Sequence, residues 1–262
     1  MWQNLARLFR YRGLIQSLVS RELKARYRGS VLGFFWSFVN PLLLLGIYTF
    51  VFSTIMVNPE EKTKPYAVFM FCGILPWTWF TASMLEASNS LIAGGNLIKK
   101  VLFPAEVLPI VSVVSNMVHF FFGLPILFGF MVFNHHLPSF PGVLWFPVIV
   151  LIQFIFTLAS VLLLSALTVH FRDLRDLLAN MLTLWFFATP IIYPYFLKSV
   201  EHYIGYFKYN PMYHVIVAYQ ESLFFPVFGH FNVLWLGAAS VVFFLAAYWL
   251  FDRLRDSFAE VV

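Results

Sequence analysis

Charge is what this sequence has least of. Only 11% of its 262 residues are Asp, Glu, Lys or Arg, against about 25% in soluble domains. Hydrophobic residues make up 61%, and a water-soluble monomer of that composition would expose large apolar patches and aggregate. A soluble enzyme, a disordered chain and a DNA-binding domain are thereby excluded, and the net charge of +5 needs an explanation other than nucleic acid. Cysteine is nearly absent: Cys72 stands alone, so no disulfide forms within the chain. Carboxylates avoid the apolar stretches. Glu86 ends one of them and Glu106 begins another, and only His119 sits well inside. Proton-coupled transport needs more buried ionisable groups than that, and the simpler reading of His119 is a polar residue hydrogen-bonded to a neighbouring helix. The phosphate-loop pattern G-x-x-x-x-G-K-[ST] is missing, although Gly94-Gly95 precede Lys99-Lys100. If the protein works against a gradient, its ATPase is another chain. No catalytic residue and no metal site is assigned. His135 and His136 are adjacent, have no Cys or carboxylate near them, and read as loop residues. No secretory signal is expected, since residues 1–30 are basic and amphipathic without a compact apolar core or a small-residue cleavage site.

Long apolar runs are what the sequence does have. A bilayer core of about 30 Å takes about 20 apolar helical residues. Six segments meet or approach that length: Val31–Val57, Ala67–Leu85, Val107–Phe133, Val143–Val169, Leu177–Tyr193 and Val233–Phe251. The fifth is the shortest and is followed by an apolar, proline-broken stretch to Phe228, so five spans plus a hydrophobic surface segment is the alternative. Such runs predict helices, because a membrane barrel would show short alternating strands. Arg7, Arg10, Arg12, Arg21, Lys24, Arg26 and Arg28 precede the first segment. Lys99 and Lys100, Arg172 and Arg175, and Arg253 and Arg255 fall on the same side, leaving only Lys62, Lys64, Lys198 and Lys208 on the other. The positive-inside rule then puts both termini in the cytoplasm. The expected organisation is one membrane domain over 1–262: an interface helix within 1–30, six spans over 31–251, and a cytoplasmic tail over 252–262.

Residues 5–28 have a different pattern. Ile15, Leu18 and Val19 share one helical face, and Arg21, Lys24 and Arg28 share the opposite one, as in a helix lying in the membrane interface. It acts either as a topology anchor or as a surface that meets an acidic head group or a partner. Aromatics are 20% of the chain. One cluster opens the first segment (Phe34, Phe35, Trp36, Phe38) and another closes the fifth (Trp185, Phe186, Phe187, Tyr193). Lipid-facing rings are the default for any membrane protein, but aromatic faces also stack on the apolar faces of sugar rings, which suits a path for a glycan. Asn40-Pro41 breaks a backbone hydrogen bond inside the first segment. His170–Asp176 reads as a short loop of alternating charge, either topology alone or a compact knob that fits a groove on an ATPase.

Three blocks in order carry a resemblance. Arg21-Glu-Leu-Lys-Ala-Arg-Tyr-Arg-Gly-Ser-Val-Leu-Gly-Phe-Phe-Trp-Ser-Phe-Val-Asn-Pro41 is the first. Leu75-Pro-Trp-Thr-Trp-Phe80 with Ser83, Ser88, Asn89, Leu97-Ile-Lys-Lys-Val-Leu-Phe-Pro104 and Glu106-Val-Leu-Pro109 is the second. Phe171-Arg-Asp173, Pro190-Ile-Ile-Tyr193 and Asn210-Pro-Met-Tyr213 form the third. Together they resemble the polysaccharide-export permeases of the ABC-2 type, over nearly the whole chain. The resemblance implies an all-α ABC-2 (type V exporter) permease fold with re-entrant outer helices after the fifth span, here Tyr195–Phe228. It implies two copies paired with two copies of an ATPase subunit in the bacterial inner membrane. ATP and Mg would bind the partner, and this chain would hold no cofactor. The substrate would be an O-antigen-like glycan on a polyprenyl pyrophosphate. The channel would lie between the first and fifth spans of the two copies, lined by Phe34, Phe38, Trp185 and Tyr193. Arg21, Lys24, Arg26 and Arg28 would meet the pyrophosphate, and Arg172, Asp173, Arg175 and Asp176 would couple to the ATPase. Another amphiphile (teichoic acid, lipid or drug) is the nearest alternative, and a membrane enzyme acting on lipid-linked sugars the more distant one.

Overall fold

The computed structural model describes residues 10–26, 28–30, 33–51, 63–99, 103–171, 173–197, 202 and 204–261. Among them there is no strand. The helices, in chain order, are α1 (Arg12–Arg26), α2 (Trp36–Phe50, after a 3₁₀ turn Gly33–Phe35), α3 (Tyr66–Ala93), the one-turn α4 (Gly95–Ile98), α5 (Val107–Phe133), α6 (Phe140–His170), α7 (Asp173–Phe187), the one-turn α8 (Ile204–Phe207), α9 (Pro211–Leu223) and α10 (Asn232–Val261).

Four of these are long and apolar enough to cross a membrane: α3, α5, α6 and α10 up to Phe258. They coincide with the second, third, fourth and sixth apolar segments. The third matches at both ends, because Val107–Phe133 is bounded by a proline-containing approach and by Asn134, whose backbone N–H donates to Phe130 O, while that of His135 donates to Val132 O. The other three overrun the apolar core with polar turns at their ends. Helix α10 continues through the expected tail, where Arg253 lies 5.6 Å from the Trp249 ring and Arg255 pairs with Asp252 at 3.9 Å.

The fifth segment is a shorter helix than its apolar run suggests: α7 has 15 residues, about 22 Å at 1.5 Å per residue, short of a bilayer core. The first segment is described over α2, and its residues 31–32 and 52–57 lie outside the described residues. In the fifth, the helix stops at Phe187 rather than Tyr193. Pro190 has no N–H to continue the ladder, and the chain closes instead through turns in which Thr189 Oγ1 donates to Trp185 O at 2.8 Å. Its start also differs from the sequence reading. His170–Asp176 is not a seven-residue loop: α6 runs to His170 and α7 starts at Asp173, with Asp173 and Asp176 in its first turn. Carboxylates there complement the positive end of the helix dipole.

Helix α3 is the axis of the bundle. Its apolar window is 78% buried, against 22% for α10, which packs on α6 at the periphery. Phe69, Phe71, Trp79 and Phe80 of α3 are enclosed. Trp79 stacks on Phe120 of α5, and Phe80 on Phe156 of α6. Two buried glutamines bridge to proline carbonyls: Gln153 donates to Pro76 O at 2.8 Å, and Gln220 to Pro190 O at 3.1 Å. Close approach needs glycine where α6 meets the end of α9, since a Cβ on Gly142 would lie 2.3 Å from the Ser222 carbonyl oxygen.

The apolar face of α1 is taken by protein. Leu18 and Val19 are buried against Val107 and Val111 of α5, with Ile15 beside them. Docking on α5 therefore fixes the axis of α1, and its basic side remains outward.

Candidate functional site

One set of polar groups gathers at the end of the bundle that holds α1. Arg21, Lys24 and Arg28 are exposed and line a groove of about 440 Å³ with Ser17 and Ser20. Arg26 turns the other way. Its Nη2 donates to Glu86 Oε1 of α3 in a close ion pair, and its Nη1 donates to Asn116 Oδ1 of α5 at 3.3 Å. Asn116 Nδ2 donates to Glu86 Oε2 at 2.7 Å and to Ser112 O at 2.9 Å. One guanidinium thus ties three helices together. Of the four arginine and lysine side chains expected to act as one face, three line the groove and one serves as a clasp.

Arg175 belongs to this end too. Its Nη1 donates to Asn89 Oδ1 of α3 at 3.1 Å. It shares a cavity of about 480 Å³ with Arg21, Glu86, Asn89, Ser90 and Ser112. Asp173 and Asp176 are exposed beside it, and Arg172 lies outside the described residues. Nearby, His170 Nε2 is 3.1 Å from Ser257 Oγ. Glu106 is buried just before α5; burial raises its pKa, partly offset by its own backbone N–H and by Arg255.

A second cavity of about 480 Å³ lies between α2, α3 and α5, with Arg26 at its edge and Trp36, Asn40, Thr78, Trp79 and His119 among its walls. The His119 ring meets Phe122. Phe38 is half-buried, its ring 5.6 Å from Phe122. Phe34 lies in the 3₁₀ turn, and its side chain is outside the described set.

At the opposite end, Trp185 faces inward. Its ring meets Phe80 and Trp77 of α3, and its Nε1 donates to Asn210 Oδ1 at 2.8 Å. The outward stripe of α7 is Leu177, Met181, Leu184 and Phe187. Tyr193 OH donates to Phe187 O at 2.9 Å. Of the expected lining rings whose side chains are described, Phe38 packs on Phe122 while Trp185 and Tyr193 lie at the far end.

Asn210 caps α9 by accepting from Met212 N at 3.0 Å, and its Nδ2 donates to Thr189 Oγ1 at 3.0 Å and Ala188 O at 3.1 Å. Buried Glu221 accepts from Tyr195 OH at 2.9 Å and from Gly229 N at 2.8 Å. Burial, then this carboxylate, pushes the Tyr195 pKa up. His214 and His230 are 2.9 Å apart, Nδ1 to Nε2, and His214 Nε2 lies 2.9 Å from Lys208 O. A carbonyl only accepts, so His214 Nε2 carries a proton. Burial, then His214, lowers the His230 pKa to about 4.

Sequence reasoning missed the Arg26–Glu86–Asn116 clasp, the Arg21–Arg175 cavity, the histidine pair and Glu221. The first two join residues 60 and more positions apart. Glu221, a carboxylate amid an apolar run, carried the one readable signal. Among the described residues no three His, Cys, Asp or Glu side chains stand together as ligands for a metal ion.

Comparison with known proteins adds the family. The ABC-2 type transporter model matches residues 13–224. The O-antigen export system permease protein RfbA of Myxococcus xanthus is 41% identical over 259 residues, 97% of each chain. Two proteins of the same name from Klebsiella pneumoniae are each 30% identical over 262 residues, all of this chain and 98% of theirs. With its four bilayer-length helices and a match that runs from α1 to the end of α9, the chain belongs to the ABC-2 type transporter family and is a multi-pass membrane protein.

Proposed function

We propose that the chain is the membrane subunit of an ATP-driven polysaccharide exporter, carrying an O-antigen-like glycan on a polyprenyl diphosphate from the cytoplasm across the bacterial inner membrane. The observation that carries this is the 41% identity, over 97% of both chains, to a protein named for O-antigen export. The ABC-2 family implies an ABC ATPase partner, which would bind the ATP and Mg; this chain would bind neither.

The physical picture follows. The basic end is cytoplasmic by the positive-inside rule, so both termini are cytoplasmic. The first apolar segment, which holds α2, and the fifth, which holds α7, complete six spans. Residues 195–228, with α9 at their centre, re-enter the membrane. Two copies meet along the apolar stripes that α2 (Leu42, Leu43, Ile47) and α7 (Leu177, Met181, Leu184) leave exposed, and the glycan passes between them past rings of the first and fifth spans. Phe34, Phe38 and Tyr193 remain the lining candidates. Trp185 contributes by holding the re-entrant segment through Asn210. Arg21, Lys24 and Arg28 attract the diphosphate, each basic group being worth about 1 kcal/mol near an anionic surface. Asp173 and Asp176, with Arg172 before them, receive the ATPase.

Co-expression with the ATPase subunit tests this reading. The two proteins should co-purify with equal copy number, and a lipid-linked glycan should stimulate ATP hydrolysis. A complex stimulated by a drug or a simple lipid and indifferent to glycan would refute it.

A further inference from the structure

We infer that the cavity between α1, α3, α5 and α7 binds the diphosphate head group of the lipid carrier. Arg21 and Arg175 are its anion ligands, and Glu86 is a built-in rival that holds Arg26 until the head group arrives. This rests on the exporter reading above and goes further by naming the site and the exchange that occurs there.

The site is built from separate elements. Arg21 comes from α1 and Arg175 from α7, Asn89, Ser90 and Ser112 offer uncharged polar groups between them, and Glu22 of α1 lines the cavity together with Glu86. Its volume of about 480 Å³ lies within the roughly 300–1,000 Å³ of ligand pockets. Asn89 accepts from one Nη of Arg175 and so orients the guanidinium, whose five N–H donors include a fork suited to phosphate oxygens. Arg21 also lines the open groove of Lys24 and Arg28. A basic path therefore leads from the surface into the cavity. Arg175, which the resemblance groups with the ATPase-coupling residues, also lines this pocket.

Glu86 supplies the switch. It lines the diphosphate cavity, and its ion-pair partner Arg26 lines the neighbouring cavity under α2. The Arg26–Glu86–Asn116 clasp is thus the partition between the two. Both Glu86 oxygens are engaged, one by Arg26 and one by Asn116. The two side chains are 28% and 33% exposed, so solvent and an incoming anion can both reach the pair. A diphosphate entering beside Glu86 meets a like charge and offers Arg26 a stronger acceptor. Arg26 moves to the phosphate and Glu86 retains Asn116. Arg26 is the last residue of α1, and Gly29 follows at φ +80°, a conformation open to glycine. Opening the partition joins the head-group cavity to the one walled by Trp36 and Trp79, with Asn40 and Asn116 as hydrogen-bonding groups. Rings and amides of that kind suit the first sugar.

The test uses the full chain in phosphatidylcholine nanodiscs, with farnesyl diphosphate and inorganic pyrophosphate as probes. Arg175→Gln and Arg21→Gln should each weaken farnesyl diphosphate binding about tenfold, the size of a lost charge-assisted contact, and Arg175→Lys less. Glu86→Gln, which keeps the shape and removes the rival charge, should tighten binding about fivefold. A purely structural Glu86 would give weaker or unchanged binding, and that result overturns the exchange. Unchanged affinity in both Arg175 variants overturns the site. Inorganic pyrophosphate binding more tightly than farnesyl diphosphate would mark a free-anion site and overturn the head-group assignment. Glycan transport by wild-type complex, measured in parallel, separates the two levels. Transport without the binding pattern sinks this inference alone; the binding pattern without transport sinks the exporter reading alone.

Discussion

Asn210 is the position at which a single side chain should matter most for the outer end of the bundle. Its amide caps α9, accepts from the Trp185 indole, and donates to Thr189 and Ala188. Replacement by alanine removes an N-cap, worth about 1 kcal/mol. It also leaves the Trp185 N–H without its acceptor in a half-buried site, a further ~1–3 kcal/mol. The expected loss is about 2–4 kcal/mol. For a chain of this size that corresponds to a fall in midpoint of roughly 2–4 °C per kcal/mol, read by thermal unfolding in nanodiscs. Trp185→Phe removes the indole donor, about 1 kcal/mol, together with part of the ring that packs on Phe80 and Trp77. The two share one bond, so the double variant should cost less than the sum by about that amount. Asn210→Asp keeps both acceptor roles and loses both donations, and should fall between. Equal destabilisation by Asn210→Ala and Trp185→Phe, or strict additivity, would refute the view that Asn210 joins the end of α7 to the start of α9.

Three further outcomes follow from the same geometry. Gly142→Ala should destabilise by about 1–3 kcal/mol through overpacking against Ser222, whereas Gly129→Ala, with nothing within 4 Å of the new Cβ, should be neutral or gain helix stability; equal effects in thermal unfolding would contradict the packing. His230, with its pKa lowered to about 4, stays neutral in the folded state while an unfolded histidine titrates near 6.5. The unfolded chain binds more protons between those values, so stability falls as pH drops from about 6.5 towards 4. Hydrogen exchange over 224–231 should accelerate at pH 5 relative to pH 7, beyond the intrinsic pH effect, in wild type and not in a His214→Gln/His230→Gln variant. Asp173→Lys should cut transport roughly tenfold or more through like-charge contact at the ATPase, with normal expression; full transport would exclude a coupling role.

The parts of this fold that could be read from sequence are those decided by one segment alone. Val107–Phe133 is an uninterrupted apolar run between breakers, and its helix has the same ends. The fifth segment failed at its far end because hydropathy continues across Pro190, while the backbone ladder does not. The charged stretch before it read as a loop because its alternation of Arg and Asp gave no periodicity. In the structure, the two aspartates are first-turn residues favoured by the helix dipole. The apolar stripe of α1 was legible, but its occupant was not: Leu18 and Val19 meet Val107 and Val111, a pairing that only the third dimension supplies. The same holds at the site. Arg21, Lys24 and Arg28 announced a basic face by helical spacing, yet nothing in a linear reading links Arg26 to Glu86, or Arg175 to Asn89.

The measurement that bears most directly on the whole account is translocation. The chain and its ATPase partner, reconstituted in proteoliposomes with polyprenyl diphosphate-linked glycan in the outer leaflet, should move the glycan into a compartment protected from added glycosidase. Protection should require ATP hydrolysis and the intact basic end of the permease. Protection that arises without ATP, or an ATP-hydrolysing complex that leaves the glycan fully accessible, would contradict it.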